Sequence, residues 1–159
     1  MEIAVLSDTH IPSKVKSLPE GLLQKIKGVD LIVHAGDMVD IAIYNQLNEI
    51  APIRAVAGNV DRSSVKKEIP EKQEFTCGDY RLGLIHGHQF QKGLYNKLLY
   101  QFPECDIIIF GHTHKPYNSK HKDVLLFNPG SPTDKRLQPH YSYGIITIEE
   151  NINSQIIKF

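Results

Sequence analysis

Cysteine is scarce in this sequence: two residues, Cys77 and Cys105, among 159. Two thiols so placed build neither a disulfide framework nor a thiolate zinc site, and they read as buried thiols of a reducing compartment. An excess of charge of either sign is missing as well. Lys and Arg number 18 and Asp and Glu 18, for a formal net charge of zero, so no global field draws the chain to nucleic acid or to an anionic membrane. No apolar run approaches membrane-spanning length, and the stretch between Met1 and Asp8 is too short for a signal peptide. The expectation is a cytoplasmic protein with neither a membrane nor a nucleic-acid partner. Repeats, low-complexity tracts and Ser/Gly-rich linkers are absent too, and the length suits one core and no more. One domain spanning 1–159 is expected, without a cap domain, and the oligomeric state stays open, a homo-oligomer included.

What the sequence has in quantity is histidine, eight in all, and their positions matter more than their number. The run Asp106-Ile107-Ile108-Ile109 reads as a strand buried on both faces, and it leads into Phe110-Gly111-His112-Thr113-His114. Glycine there allows the backbone to turn close to a ligand, and two imidazoles at alternate positions would share one side of an extended chain. The same arrangement recurs. Glu2 to Ser7 ends in Asp8-Thr9-His10, Asp30 to Ala35 in Gly36-Asp37, Ile53 to Ala57 in Gly58-Asn59-Val60-Asp61, and Tyr80 to Ile85 in His86-Gly87-His88.

Helices are expected between these runs. One covers Glu20 to Lys27 with Gly28 as its stop, a second Ile41 to Ile50 behind an Asp40 cap, and a third Gln91 to Phe102. Strands alternating with helices imply a parallel sheet with right-handed crossovers, whose ligands bind beyond the carboxyl ends of the strands. Arg62 to Lys72 reads as an exposed connection. Hairpins over 73–85, 117–127 and 141–159 imply a second, more antiparallel sheet.

Taken singly, each strand-end group could be structural. Chance, however, would scatter such side chains into helices and hairpin tips, whereas nearly every apolar run here ends in a small residue followed by a ligand-type side chain. Asp8, His10, Asp37, Asn59, His86, His112 and His114 exceed the needs of one ion and suit two metals about 3.5–4 Å apart. Mixed oxygen and nitrogen donors without sulfur point to manganese, iron, zinc, nickel or cobalt and away from calcium. Manganese is placed first.

The five ordered motifs, Asp8-Thr9-His10, Gly36-Asp37, Gly58-Asn59-Val60-Asp61, His86-Gly87-His88 and Gly111-His112-Thr113-His114, resemble those of the calcineurin-like metallophosphoesterases. Asn128-Pro129-Gly130-Ser131 adds a likeness to the small prokaryotic phosphodiesterases of that superfamily. The resemblance implies an α/β fold, a four-layer α/β/β/α sandwich of two mixed sheets. It also implies that Asp8, His10 and His114 hold one metal, that Asn59, His86 and His112 hold the other, and that Asp37 bridges them. A small phosphoester would be hydrolysed by in-line attack of a hydroxide shared between the ions, and the charge of such a site suits a phosphodiester at least as well as a monoester.

One departure stands out. Where phosphatases of the superfamily often carry a His after the motif Asn, this chain has Val60, which has no proton to give. Asp61 is then expected to support neighbouring groups. His88 is the catalytic candidate that remains, and activated leaving groups are favoured unless His88 or a water protonates the leaving group. The alternative reading is a non-catalytic interaction scaffold, since an Ile-His-Gly-His-Gln stretch like Ile85 to Gln89 occurs in the retromer subunit of this fold. The presence of His10 and Asn59 favours catalysis. His34 reads as a core residue, His121 and His140 as surface, and the loop Pro132 to His140 as a seat of specificity.

Overall fold

Alternation of apolar side chains along the strands decides the architecture. In the computed structural model, which describes residues 1–159, strand β1 (Glu2–Leu6) buries Ile3 and Val5 on one face and Ala4 and Leu6 on the other. A strand covered on both faces must lie inside a layered structure. The chain continues through α1 (Glu20–Lys25), β2 (Leu31–His34), α2 (Ile41–Asn48), β3 (Ile53–Ala55), α3 (Ser63–Glu68), β4 (Lys72–Cys77) and β5 (Tyr80–Ile85). It then runs through α4 (Leu94–Gln101), β6 (Ile107–Phe110), β7 (Tyr117–His121), β8 (Val124–Asn128), β9 (Ser142–Ile148) and β10 (Ile152–Lys158).

The strands form two five-stranded sheets, ordered β10-β9-β1-β2-β3 and β4-β5-β6-β8-β7. Three apolar clusters mark three layer interfaces. Ala4, Leu6 and Ile32 pack with Leu22 of α1, Ile43 and Leu47 of α2 and Val65 of α3 on the outer face of the first sheet. Ile3, Val5 and Val33 meet Leu82, Leu84, Ile107, Ile109 and Phe127 between the sheets. Ile108, Phe110 and Leu126 pack with Leu98 and Phe102 at α4. The protein is a four-layer α/β/β/α sandwich.

Three expectations need correction. The second sheet is no more antiparallel than the first: β5–β6 and β6–β8 run parallel and β4–β5 and β7–β8 antiparallel, and the first sheet likewise has two strand pairs of each kind. The closing hairpin joins the first sheet, β9 pairing antiparallel with β1 in the register Ile3↔Ile146. Its Ile146 and Ile148 complete the core between the sheets, so the burial of these two residues fixes where the hairpin docks. Arg62 to Lys72 is not wholly a connection either, because it contains α3, of which only Val65 is buried; one apolar contact leaves no visible period. The first helix ends at Lys25, the second at Asn48, and α4 starts at Leu94, after Gly93 in a left-handed conformation with φ 68°.

Candidate metal centre

The carboxyl ends of β1, β2 and β3 in one sheet and of β5 and β6 in the other open onto one edge of the sandwich. The loops that leave them bring two groups of side chains together. Asp8, His10 and His114 form one and Asp37, His86 and His112 the other, and within each group the ligand atoms all lie within 4.8 Å of one another. Asp37 reaches both groups: its Oδ2 is 3.2 Å from His86 Nε2 and 3.8 Å from His10 Nε2. Asp8 Oδ1 lies 3.3 Å from His114 Nε2 and 3.9 Å from each of His10 Nε2 and His86 Nε2.

Extended backbone is not how these side chains converge. Asp8, His10, Asp37, His112 and His114 have φ of 54°, 48°, 58°, 67° and 55°, in the left-handed region. Such residues cost energy that the surroundings must overcome, and they concentrate at functional sites. The turn at Thr113 consequently sends His112 to one group and His114 to the other, whereas Asp8 and His10 stay together.

Neighbouring groups fix the orientation of the ligand-type side chains. His86 Nδ1 donates to the Ala35 carbonyl at 2.7 Å, and His114 Nδ1 donates to the Asp134 carbonyl, so in both rings Nε2 is left facing the site. Ser7 Oγ and the His112 N–H donate to Asp8 Oδ2 at 2.6 and 3.0 Å. Ser131 Oγ donates to the Asp8 carbonyl at 2.7 Å and Thr133 Oγ1 to the Thr9 carbonyl at 2.6 Å. Asn128 Nδ2 holds the Gly111 carbonyl at 2.8 Å. Asp61, buried, accepts from the N–H groups of Asp37, Val39 and Gly58 at 3.1, 2.5 and 2.6 Å. Two glycines are required by close approach, since a Cβ on Gly58 would lie 2.1 Å from Asp37 Oδ1 and one on Gly111 1.9 Å from Ser7 Oγ.

Burial and charge oppose each other at the centre. Burial would raise the carboxyls of Asp8 and Asp37, but the imidazoles outweigh it. Asp37 is brought down to about 2, chiefly by His86. Burial likewise disfavours the charged form of His86, yet Asp37 and Asp8 raise it overall, while His10 and His112 are lowered by burial. Asp8 Oδ1, His86 Nε2, His88 Nδ1 and His112 Nδ1 are buried and make no hydrogen bond. Such atoms each cost about 1–3 kcal/mol if nothing meets them, and four clustered at one place, with carboxylate and imidazole donors and no thiolate, fit divalent transition metals.

The remaining candidates fall around this centre. Asn59 is exposed, on the loop whose next residue, Val60, donates its N–H to Asp37 Oδ1 at 3.0 Å. His88 is half-buried, its ring 5.5 Å from that of His86 and 6.3 Å from that of His112. His34 is a core residue whose Nε2 meets Thr9 Oγ1 at 3.1 Å. His140 is exposed, but His121 is not free surface: its Nε2 pairs with Tyr117 Oη at 2.6 Å in an aromatic cluster with Tyr95. The carbonyls of Ala35 and Asp134 have no signature in sequence. Ser131, by contrast, lay within a motif already singled out. Beside His10 an open cleft of about 640 Å³ is lined by Lys14, Val60, Asp134, Arg136 and Leu137, among others.

Residues 1–151 match the family model described as calcineurin-like phosphoesterase superfamily domain. A probable metallophosphoesterase of Methanothermobacter thermautotrophicus is 38% identical over 161 residues, covering 99% of this chain and 92% of the relative. Another, from Methanocaldococcus jannaschii, is 36% identical over 160 residues, covering 99% and 81%. Among solved structures, Vps29 of Entamoeba histolytica in complex with zinc superimposes with a TM-score of 0.80 at 21% identity, covering 99% of both chains. That likeness is one of fold.

Proposed function

The chain belongs to the calcineurin-like phosphoesterase superfamily, and from that premise we propose that it is a metal-dependent phosphodiesterase acting on a small phosphoester. The observation that carries the reading is the pair of adjoining Asp/His groups, in which three buried atoms, Asp8 Oδ1, His86 Nε2 and His112 Nδ1, have no hydrogen-bond partner within the protein. In this reading Asp8, His10 and His114 would hold one divalent ion, Asn59, His86 and His112 would hold a second, and Asp37 would serve both. The ions, with manganese placed first, would supply Lewis acidity at the phosphoryl oxygens and acidify the attacking water.

The protein's own groups do the rest. Asp8 and Asp37 offset part of the cationic charge, which leaves a centre suited to a singly charged diester. The carbonyls of Ala35 and Asp134 keep His86 and His114 in the tautomer whose Nε2 faces inward. His88 faces the substrate from the edge of the second group. Burial lowers its imidazole below the ordinary value. With Val60 in place of a proton donor, leaving groups that depart without protonation react best.

The test is turnover of bis-p-nitrophenyl phosphate by protein loaded with manganese, zinc or nickel. Asp37→Ala is expected to abolish it and to lower the bound-metal stoichiometry. A matched diester and monoester should give a kcat/KM at least as high for the diester, and a strong monoester preference would refute the diesterase assignment. The scaffold alternative rests on the fold likeness to Vps29. It would gain if metal-loaded protein turned over neither ester.

A further inference from the structure

The cleft next to His10 holds two cations that the fold leaves unused. Lys14 sits on the turn that follows His10, its backbone N–H bonded to the His10 carbonyl at 2.8 Å, and Arg136 lines the same cleft from the 132–140 loop. Neither has a carboxylate within the ion-pairing distance at which Arg62 meets Asp40, Lys72 meets Glu74 and Arg81 meets Glu104, a freedom they share with most Lys and Arg of the chain. The one acid in the cleft is turned elsewhere, Asp134 Oδ2 lying 4.0 Å from His114 Nδ1. Adjacent Lys135 is also occupied, donating to the Pro139 carbonyl at 3.1 Å. Arg136 is held with φ 47°, a left-handed conformation disfavoured for its type.

The same cleft is lined by two exposed apolar side chains, Val60 at 43% and Leu137 at 97% exposure. A volume of about 640 Å³ exceeds what a phosphate alone needs and is of the size that holds a small organic ligand. Unpaired cations and bare apolar side chains together describe a place for an organic group that carries an anion.

Building on the phosphodiesterase reading, we propose that this cleft selects the substrate: Lys14 and Arg136 take a second phosphate, apart from the one being hydrolysed, and Val60 and Leu137 pack against the organic arm that bears it. The substrate class is then a phosphoester with two phosphates on one small organic skeleton, such as a nucleoside bisphosphate ester. Singly phosphorylated esters bind the same centre more weakly. Both cations are exposed, so each contact is modest, and together they give about a tenfold preference.

Calorimetry with manganese-loaded protein compares thymidine 3′,5′-bisphosphate and thymidine 5′-monophosphate. The bisphosphate should bind about tenfold more tightly, with the ratio shrinking as salt is raised and falling to near one in Lys14→Gln/Arg136→Gln. A wild-type ratio of one, or a ratio that survives in the double variant, overturns the proposal. Turnover of the p-nitrophenyl 5′-esters of the two nucleotides separates this outcome from failure of the parent reading. If neither ester is hydrolysed, the phosphodiesterase assignment falls while the binding ratio still decides the role of the cleft. If both are hydrolysed with equal KM, the assignment stands and the cleft proposal falls.

Discussion

Replacing Asp61 by Asn tests whether the centre is held together by its surroundings. The carboxylate accepts three backbone N–H groups: Oδ2 takes those of Gly58 and Asp37 at 2.6 and 3.1 Å, and Oδ1 takes that of Val39 at 2.5 Å. An amide of the same shape keeps one oxygen, which retains the first pair, and turns its NH2 toward the Val39 N–H. One hydrogen bond to a charged acceptor is lost and one buried donor is left facing another. Each of these costs about 1–3 kcal/mol, and because they overlap the total should be about 2–4 kcal/mol. With a urea dependence of about 2 kcal/mol per molar, the unfolding midpoint should drop by about 1–2 M.

Asp61 also fixes the two segments that flank Asp37, so the Asp61→Asn protein should bind metal about 10- to 100-fold more weakly. Urea titration followed by circular dichroism gives the first quantity and competition with a chelating dye the second. Asp79→Asn, at an exposed hairpin turn, is the control and should match the parent on both. An Asp61→Asn protein with the parental midpoint and parental metal affinity would refute the bracing role.

Three further outcomes follow from the geometry. Gly111→Ala puts a methyl 1.9 Å from Ser7 Oγ and 2.9 Å from Asp8 Oδ2, so it should displace Asp8 and cut metal stoichiometry by elemental analysis; unchanged stoichiometry would contradict this. The buried Cys105 thiol is pushed up to about 11 and the Cys77 thiol is raised, both by burial. Neither should react with Ellman's reagent at pH 8 until the protein unfolds, and prompt labelling of native protein would count against the packing described. Burial lowers His34 from 6.5 to about 4. The unfolded chain therefore takes up this proton from pH 6.5 downward while the folded protein does not until about 4. Stability is lost as pH falls through that window. His34→Gln should lose less stability than the parent between these pH values in urea titrations, and an identical pH slope would exclude His34 as a source of acid sensitivity.

Much of the fold was legible because the strands announce themselves. Ile107 to Phe110 and Ile3 to Leu6 are apolar on both faces, as a buried strand of a layered α/β protein requires. The six ligand-type residues that the structure gathers, Asp8, His10, Asp37, His86, His112 and His114, were equally visible, because each follows such a run. What sequence could not supply was the path between them. Alternation across Thr113 implied a common side, yet left-handed φ values at His112 and His114 split the pair between two groups, and single-residue backbone conformation has no periodic trace. The docking of β9 beside β1 was hidden for a different reason: the two are far apart in the chain, and their pairing depends on filling the core between the sheets. Helix α3 escaped notice because its burial is a single side chain, Val65.

Each of the two ligand groups draws on both sheets: Asp8 and His10 follow β1 while His114 follows β6, and Asp37 follows β2 while His86 and His112 follow β5 and β6. Ions held there would act as rivets through the laminate. Elsewhere the sheets adhere through apolar contact, which tolerates some sliding; a coordination bond does not. Each ion at a hundredfold excess over its dissociation constant adds about 2.7 kcal/mol against unfolding, and it does so at the one seam where slippage would pull the two halves of the centre apart. Loading with metal should therefore lock the two layers into a single mechanical body. Stripping the metal should loosen that edge first, leaving the hairpin end of the sandwich intact.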